Sequence, residues 1–298
     1  MLNRRVFLHS TLAAGLVPRL AWPAAGPAAR KIPSSGEVLP VIGLGTSRTF
    51  DVGTDLTARD ALLPLMREFF ARGGTVIDSS PMYRSAESVT GYLLDKLKPS
   101  PGAFVATKVW TDGAESGREQ MQTSAERLAT PRIDLMQVHN LKDWRTHLAT
   151  LRDWKDAGRI RYIGITTSRA SQFDDFAEVM RAEDLDFVQL NYSVGEREAE
   201  SVLLPLAADR GMAVLVNRPY MRGALFKQVK DRAVPDWAAD YDCTTWGQIF
   251  LKFALSHPAV TCLIPATSKL EHMTDNMAAG FGRLADEAFR ERLLAEMG

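Results

Sequence analysis

The chain has 298 residues, which suits one barrel of typical size and leaves little room for a second domain. Its 36 Lys and Arg residues balance 36 Asp and Glu residues, which excludes the strongly basic face of a nucleic-acid-binding protein. No run reaches the roughly 20 apolar residues of a transmembrane helix, so we expect no stable membrane insertion. Cys243 and Cys262 are too few for a metal knuckle or a disulfide framework. We therefore predict two packed thiols and no metal site.

The composition of the N-terminal segment differs from that of the rest of the chain. The paired arginines Arg4 and Arg5 precede an Ala- and Leu-rich region that ends in a Gly-Pro-Ala sequence. This pattern is similar to a twin-arginine export signal with a small-residue cleavage site. We expect residues 1–28 to be a signal peptide for the twin-arginine export machinery, and residues 29–298 to be a barrel that reaches the periplasm or is otherwise exported. A disordered or amphipathic tail on a cytoplasmic protein is the alternative, because a proline and an arginine interrupt the apolar region.

Short apolar runs alternate with longer amphipathic segments from Ile32 onward. The runs are continuous and rich in Val and Ile, which is typical of strands buried on both faces of a parallel sheet. They lie at residues 41–44, 75–77, 104–109, 133–138, 162–165, 187–190, 212–216 and 260–264. Eight strands that alternate with helices predict an α/β fold, a single-domain (β/α)8 TIM barrel, although a doubly wound open sheet shares this alternation.

The amphipathic segments between these runs predict helices. They lie at residues 85–97, 116–128, 144–157, 171–182, 196–210, 245–256 and 269–277. An earlier helix that ends near Ala71 contains Pro64, so we expect this proline in the first helical turn. Gly73, Gly158 and Gly211 follow predicted helices, where a left-handed C-cap is expected.

Four reactive side chains follow successive predicted strands. Asp78, Lys108 and His139 lie at the ends of the second, third and fourth strands, and Tyr83 lies in the loop after Asp78. Each residue alone has a structural alternative: a helix cap, a surface cation, a hydrogen-bonded histidine or a loop-packing aromatic. Because the carboxyl ends of barrel strands build the active site, we expect all four side chains to lie together as catalytic residues.

This set of groups suits the reduction of a carbonyl. Hydride transfer builds negative charge on the oxygen, which then needs a proton donor and electrostatic stabilisation. We expect Tyr83 to be the donor, with the cation of Lys108 lowering the pKa of the phenol. Asp78 would keep Lys108 charged, and His139 would orient the carbonyl. A Schiff-base aldolase with Lys108 as nucleophile is an alternative, although the adjacent carboxylate favours the protonated amine.

The same residues carry a resemblance to the aldo-keto reductase family. Residues 78–87, Asp-Ser-Ser-Pro-Met-Tyr-Arg-Ser-Ala-Glu, resemble the family's aspartate and tyrosine signature. Residues 106–109 resemble its lysine strand, residues 127–139 its histidine strand, and residues 155–164 the entry to its fifth strand. The resemblance covers roughly residues 39–279. It implies a (β/α)8 barrel that reduces aldehydes or ketones with NADPH.

The resemblance also implies how the cofactor binds. The sequence has no Gly-rich Rossmann loop, and family members hold a nicotinamide dinucleotide extended across the barrel mouth. NADP is the implied cofactor, and NAD is the alternative. The matching positions follow the later strands: Thr166, Thr167, Gln189, Asn217, Arg218, Thr267, Ser268, Lys269, His272 and Asn276.

Several of these positions depart from the family pattern. Thr166 and Thr167 stand where Ser-Asn is common, Asn217 stands where many relatives have an aromatic ring, and His272 stands where Arg is frequent. These departures weaken the preference for NADP over NAD. They also keep a second hypothesis open, in which a cofactor-poor or non-catalytic barrel of the same fold binds a ligand.

The sequence indicates less about the substrate pocket than about the catalytic residues. Trp110 and Trp144 follow the third and fourth strands and are predicted to line the pocket. The connection from Val216 to Thr245 is unusually long, and such loops more often serve a function than not. We expect this connection to form another wall of a pocket for a small-molecule carbonyl substrate. The sequence does not identify the substrate, and these walls indicate only that apolar or aromatic carbonyl compounds would fit.

Overall fold

The structure of the protein, a computed structural model, describes residues 26–98 and 102–298. An antiparallel hairpin of β1 (Ala29–Lys31) and β2 (Val38–Pro40) comes first. Parallel strands then follow one another around a single sheet in chain order. They are β3 (Leu44–Gly45), β4 (Val76–Asp78), β5 (Phe104–Val109), β6 (Ile133–His139), β7 (Ile160–Thr166), β8 (Phe187–Asn191), β9 (Ala213–Asn217) and β10 (Val260–Leu263).

The first and last strands of this sheet meet. Ile42 bridges Leu263, and Gly45 bridges Ala266, both in the parallel sense. At this seam the Gly43 N–H donates to the Leu263 carbonyl at 2.7 Å. A Cβ on Gly43 would lie 2.8 Å from a backbone oxygen of β4, so this close approach requires glycine. The predicted strands and the (β/α)8 barrel are therefore confirmed, and the doubly wound open sheet is wrong.

Helices fill the connections between the strands, as predicted. In the described residues they are α1 (Leu56–Asp60), α2 (Leu63–Ala71), α3 (Ala86–Lys96), α4 (Ala114–Arg127), α5 (Trp144–Asp156), α6 (Phe173–Ala182), α7 (Leu203–Asp209), α8 (Ala224–Gln228), α9 (Trp246–Ser256), α10 (Leu270–Ala278) and α11 (Glu287–Met297). Pro64 lies in the first turn of α2, as predicted. The predicted C-cap glycines all have a positive φ: Gly73, Gly158 and Gly211.

One predicted helix is shorter than expected. The pattern at 196–210 predicts a continuous helix, whereas α7 begins at Leu203, after a single 3-10 turn at Glu198–Glu200. Pro205 explains the difference, because it has no N–H and its ring clashes with the carbonyl four residues earlier. The prediction was also incomplete, since it missed the hairpin, α1, α8 and α11.

The hairpin closes one end of the barrel. Ile32 and Leu39 are buried in one cluster with Phe104, Tyr162 and Phe187, which point into the barrel from β5, β7 and β8. The rings of Phe104 and Tyr162 stack with their centroids 5.9 Å apart. Because this packed layer fills the barrel at the amino-terminal ends of the strands, an open cleft is possible only at their carboxyl-terminal ends.

Two other predictions concern the chain as a whole. Within the described ranges, no helix is long and apolar enough to cross a membrane. Cys243 and Cys262 are both buried free thiols, in agreement with the packing role predicted for them. Residues 1–25, which hold most of the predicted signal peptide, lie outside the described residues.

Candidate active site

A buried ion pair lies at the carboxyl end of the barrel strands. Asp78 is the last residue of β4, and Lys108 extends from the adjacent β5. The Lys108 Nζ donates to Asp78 Oδ1 at 2.8 Å, to Asp78 Oδ2 at 2.7 Å and to the Ser79 carbonyl at 2.6 Å. The lysine keeps 1% of its surface exposed and the aspartate 2%. Since a nucleophilic amine needs a free lone pair, this arrangement argues against a Schiff-base aldolase.

Two amide side chains complete the surroundings of the carboxylate. Gln137 Nε2 donates to Asp78 Oδ1 at 3.4 Å, and Gln189 Nε2 donates to Asp78 Oδ2 at 3.3 Å. Gln137 was missed by the sequence analysis. The signal for it was present, because Gln137 is a polar residue between Met136 and Val138 in a buried strand. The buried charges are therefore matched by hydrogen bonds from several strands, as burial of an ion pair requires.

Tyr83 packs against this pair. The Lys108 Nζ lies 5.4 Å from the centroid of the Tyr83 ring, and the ring meets His139 edge-on with centroids 6.1 Å apart. Burial raises the pKa of Tyr83 above its ordinary value; the charges of Lys108 and Arg218 act to lower it, and that of Asp78 to raise it. The charge of Lys108 therefore acts on this pKa in the predicted direction, but desolvation outweighs it.

His139, the last residue of β6, is held in its neutral form. Burial lowers the pKa of its imidazole to about 3, and the positive charge of Lys108 acts in the same direction. Its Nδ1 lies 3.1 Å from the Ser80 hydroxyl oxygen, which accepts from the Met82 N–H at 3.4 Å. The Ser80 hydroxyl can also donate to Nδ1, and the ring proton then lies on Nε2. In that tautomer His139 is a hydrogen-bond donor and not a source of protons.

The four predicted catalytic residues all line one cleft of about 1390 Å³. The segment after Val216 forms part of its wall through residues 217–220, 222, 223 and 226, as predicted. The cleft also reaches most of the positions predicted to hold the cofactor: Thr166, Gln189, Asn217, Arg218, Thr267, His272 and Asn276.

The remaining predicted positions lie beside the cleft and do not line it. Thr167 donates its hydroxyl to Gln172 Oε1 at 2.8 Å, and so shapes the loop after β7. Ser268 and Lys269 immediately precede α10. Trp110 is exposed, with the Lys142 Nζ 5.9 Å from its ring centroid, and Trp144 begins α5 with the Arg145 guanidinium over its ring. A binding role for these residues stays a prediction.

Several groups in the cleft fit a nicotinamide dinucleotide. The side-chain oxygens of Asn140, Gln189 and Asn217 are buried and have no hydrogen-bond partner among the described residues. Such acceptors suit the NH₂ of a carboxamide. Farther along, Arg222 and His272 line the same cleft and suit phosphate groups. The residues present are therefore compatible with the cofactor that the resemblance implies, although Asn217 provides no aromatic ring for stacking.

The comparisons with known proteins agree with this arrangement. A sequence model of the Aldo/keto reductase family matches residues 41–292, so the chain belongs to this family. The methylglyoxal reductase YeaE of Escherichia coli is 26% identical over 257 residues, which cover 84% of this chain and 88% of the relative. The aldo-keto reductase YhdN of Bacillus subtilis is 31% identical over 206 residues, which cover 62% of this chain and 59% of the relative.

Solved structures support the fold. An aldo/keto reductase from Klebsiella pneumoniae in complex with NADP and acetate superposes with a TM-score of 0.74 at 23% identity, over 91% of this chain and 96% of the other. The holo form of an aldo-keto reductase from Bacillus halodurans superposes with a TM-score of 0.72 at 21% identity, over 91% of this chain and 96% of the other. At these identities the likeness establishes the barrel fold.

The neutral state of His139 predicts a pH dependence of stability. The ordinary pKa of histidine is 6.5, and burial lowers that of His139 to about 3 in the folded protein. Below about pH 6.5 the unfolded chain therefore binds a proton that the folded chain does not, so the free energy of unfolding falls as the pH falls. As the pH falls from about 6 to about 4.5, we expect the free energy of unfolding of the wild type to decrease by about 1 kcal/mol per pH unit more than that of His139→Gln.

Denaturant unfolding of both proteins at several pH values measures this difference. The comparison cancels the contributions of the other titrating groups, which are common to both chains. Parallel pH dependences for the wild type and the variant would show that His139 binds protons equally in the folded and unfolded states.

Proposed function

We propose that this member of the aldo/keto reductase family reduces aldehydes or ketones to alcohols, with NADPH as the hydride donor and Tyr83 as the proton donor. The observation that carries the proposal is the buried Lys108–Asp78 pair beside Tyr83 at the open end of the barrel. The relatives support this activity and this cofactor, since one is named a methylglyoxal reductase and one structural neighbour holds NADP.

The chemistry follows from the positions of the side chains. A nicotinamide dinucleotide held along the cleft would supply the hydride to the carbonyl carbon and be oxidised in return. Tyr83 donates the phenolic proton to the carbonyl oxygen, so the product is an alcohol and the phenolate regains its proton from solvent. Because an alkoxide is a much stronger base than a phenolate, a raised pKa still permits this transfer. Lys108 stabilises the phenolate that forms, and neutral His139 directs the carbonyl through its Nε2–H.

We assign the cofactor contacts along the cleft. Gln189 and Asn217 offer buried amide oxygens for the carboxamide of the nicotinamide, close to the ion pair. Arg218 and His272 suit the phosphates, and Asn276 lines the cleft near His272 on α10. Thr166, Thr167, Thr267, Ser268 and Lys269 remain candidate contacts. NADH is the alternative cofactor, because an Escherichia coli relative that is 30% identical over 198 residues is named an NADH-specific methylglyoxal reductase.

We also propose that residues 1–28 direct export through the twin-arginine machinery to the periplasm and that residues 29–298 are the mature barrel. The paired arginines Arg4 and Arg5 support the first part. The start of β1 at Ala29 supports the boundary. Ala28, the last residue assigned to the signal, nevertheless contacts the barrel, since its N–H donates to the Gly280 carbonyl at 2.7 Å. Export of the folded protein with its dinucleotide bound would supply the cofactor outside the cytoplasm.

The proton-donor role predicts the behaviour of Tyr83→Phe. We expect kcat for carbonyl reduction to fall by about 100- to 10,000-fold, because the variant cannot donate a proton. Affinity for NADPH, measured by fluorescence titration, should change little. Tyr92→Phe is the matched control, because the Tyr92 hydroxyl donates to Asp60 Oδ1 on the outer side of the barrel.

Retention of full activity by Tyr83→Phe would refute the proton-donor role. Failure of the wild type to bind either NADPH or NADH would favour the ligand-binding barrel over the reductase. Trapping of a substrate adduct on Lys108 with borohydride would instead support an aldolase.

The export proposal predicts the location of the protein in a bacterium that has twin-arginine machinery. The wild type should appear in the periplasmic fraction, with an intact mass that begins at Ala29. The double variant Arg4→Lys and Arg5→Lys should remain in the cytoplasm, whereas Arg19→Lys should behave as the wild type. Equal distribution of all three proteins between the fractions would refute export through the arginine pair.

A further inference from the structure

The loop that carries Tyr83 joins β4 to α3 and comprises residues 79–85. Immediately before the loop, Asp78 accepts from the Lys108 ammonium through both carboxylate oxygens. At its other end, the Ala86 N–H donates to the Tyr83 carbonyl at 3.1 Å, so the tyrosine leads directly into the first turn of the helix. The position of the phenol therefore depends on where α3 lies relative to the strand that carries Lys108.

A second buried contact holds α3 on that same strand. Glu87, the second residue of α3, is fully buried, and its Oε1 accepts from the Thr107 hydroxyl at 2.6 Å. In the described part of the chain, this is the one side-chain hydrogen bond between α3 and β5. Thr107 and Lys108 are successive residues of β5, so their side chains point to opposite faces of the strand. Both ends of the Tyr83 loop are therefore attached to neighbouring residues of one strand.

The carboxyl group of Glu87 is buried at a cost. Burial raises the pKa of Glu87, and the hydroxyl of Thr107 and the charge of Arg127 act to lower it. The Arg127 Nη1 lies 3.8 Å from Glu87 Oε2, which is too far for a hydrogen bond. An apolar side chain would fill the space between helix and strand without this cost. What the carboxyl group provides, and an apolar side chain would not, is the hydrogen bond to Thr107.

The loop has another attachment on its outer side, which is weaker. Asp51 accepts from the Ser85 hydroxyl at 2.8 Å and pairs with Arg84 at 3.3 Å. The Arg84 side chain is 84% exposed, so water and salt compete for this pair. The contact between Glu87 and Thr107 is shielded from water, which strengthens it and makes it the more rigid of the two attachments.

Given the carbonyl reduction proposed above, on which this inference rests, we propose that Glu87 and Thr107 are positioning residues for the reaction. Their hydrogen bond fixes α3 on β5 and thereby holds the Tyr83 phenol beside Lys108, whose Nζ lies 5.4 Å from the ring centroid. Neither Glu87 nor Thr107 lines the cleft, so both act through Tyr83. A displacement of about 1 Å in a reacting group costs up to about 100-fold in rate, so loss of this contact lowers kcat.

Thr107→Val tests this role, because it removes the hydroxyl with little change in shape. With 4-nitrobenzaldehyde as the probe, we expect kcat to fall about 10- to 100-fold and the affinity for NADPH, measured by fluorescence titration, to change less than about 2-fold. Thr107→Ser keeps the hydroxyl and should retain kcat within about 3-fold. Thr90→Val is the matched control, because the buried Thr90 hydroxyl on the same helix donates to the Ala86 carbonyl at 2.8 Å. This variant should also retain kcat within about 3-fold.

Two double variants show how Thr107 acts. In a Tyr83→Phe background, Thr107→Val should lower kcat by less than about 2-fold, because the proton donor that the contact positions is already absent. Glu87→Met combined with Thr107→Val replaces both partners by apolar groups, so no buried carboxyl group is left without its partner. This variant should fold even where Thr107→Val alone is unstable, and it should show the same loss of kcat.

The possible outcomes separate the inference from the proposed function. Wild-type kcat in the apolar pair variant would overturn the inference and leave the reductase intact. Equal losses of kcat in Thr107→Val and Thr90→Val would do the same, because any loosening of α3 would then suffice. A further loss of about 10-fold in the Tyr83→Phe background would show that Thr107 acts through another group, which also contradicts the inference. Absence of turnover by wild-type protein that binds NADPH would instead count against the reductase itself.

Discussion

The ion pair between Lys108 and Asp78 is the constraint on which the rest of the site depends. Two charges in a barrel interior are costly unless the protein replaces the hydrogen bonds that water provided. Here the replacement comes from β4, β5, β6 and β8 together, because Gln137 and Gln189 also donate to the carboxylate. A shift in the register of any of these strands would leave a buried charge or amide without its partner. The buried ion pair therefore requires the closed barrel, and the proposed proton transfer requires the ion pair.

The pair also determines the electrostatics of its neighbours. Because the ammonium is already neutralised by the carboxylate, burial controls the protonation of Tyr83 and keeps the phenol in its acid form. The same burial keeps His139 neutral. The catalytic centre is thus close to electrically neutral, whereas positive charge lines the cleft around it on residues such as Arg218 and Arg222. In the proposed reaction the centre transfers the proton, and the arginines around it suit the phosphates of the dinucleotide.

Much of the fold and of the catalytic set could be predicted, because both follow from local patterns. Buried parallel strands are apolar runs, and reactive residues such as Asp78 and His139 stand directly at the ends of such runs. The contact of Gln189 with Asp78 could not be predicted, since it depends on the closure of the barrel. The rise in the Tyr83 pKa could not be predicted, because it comes from burial, which is a property of the packed site.

A double-mutant cycle on the ion pair tests the central claim most directly. Asp78→Asn and Lys108→Met should each lower the free energy of unfolding by about 3–5 kcal/mol, because each leaves one buried charge without its partner. The double variant should regain most of that stability. All three variants should still lose more than about 100-fold in kcat/KM for carbonyl reduction, since none retains the charged pair beside Tyr83. A double variant that reduces carbonyl substrates at close to the wild-type rate would contradict the account, because the pair would then serve the fold alone.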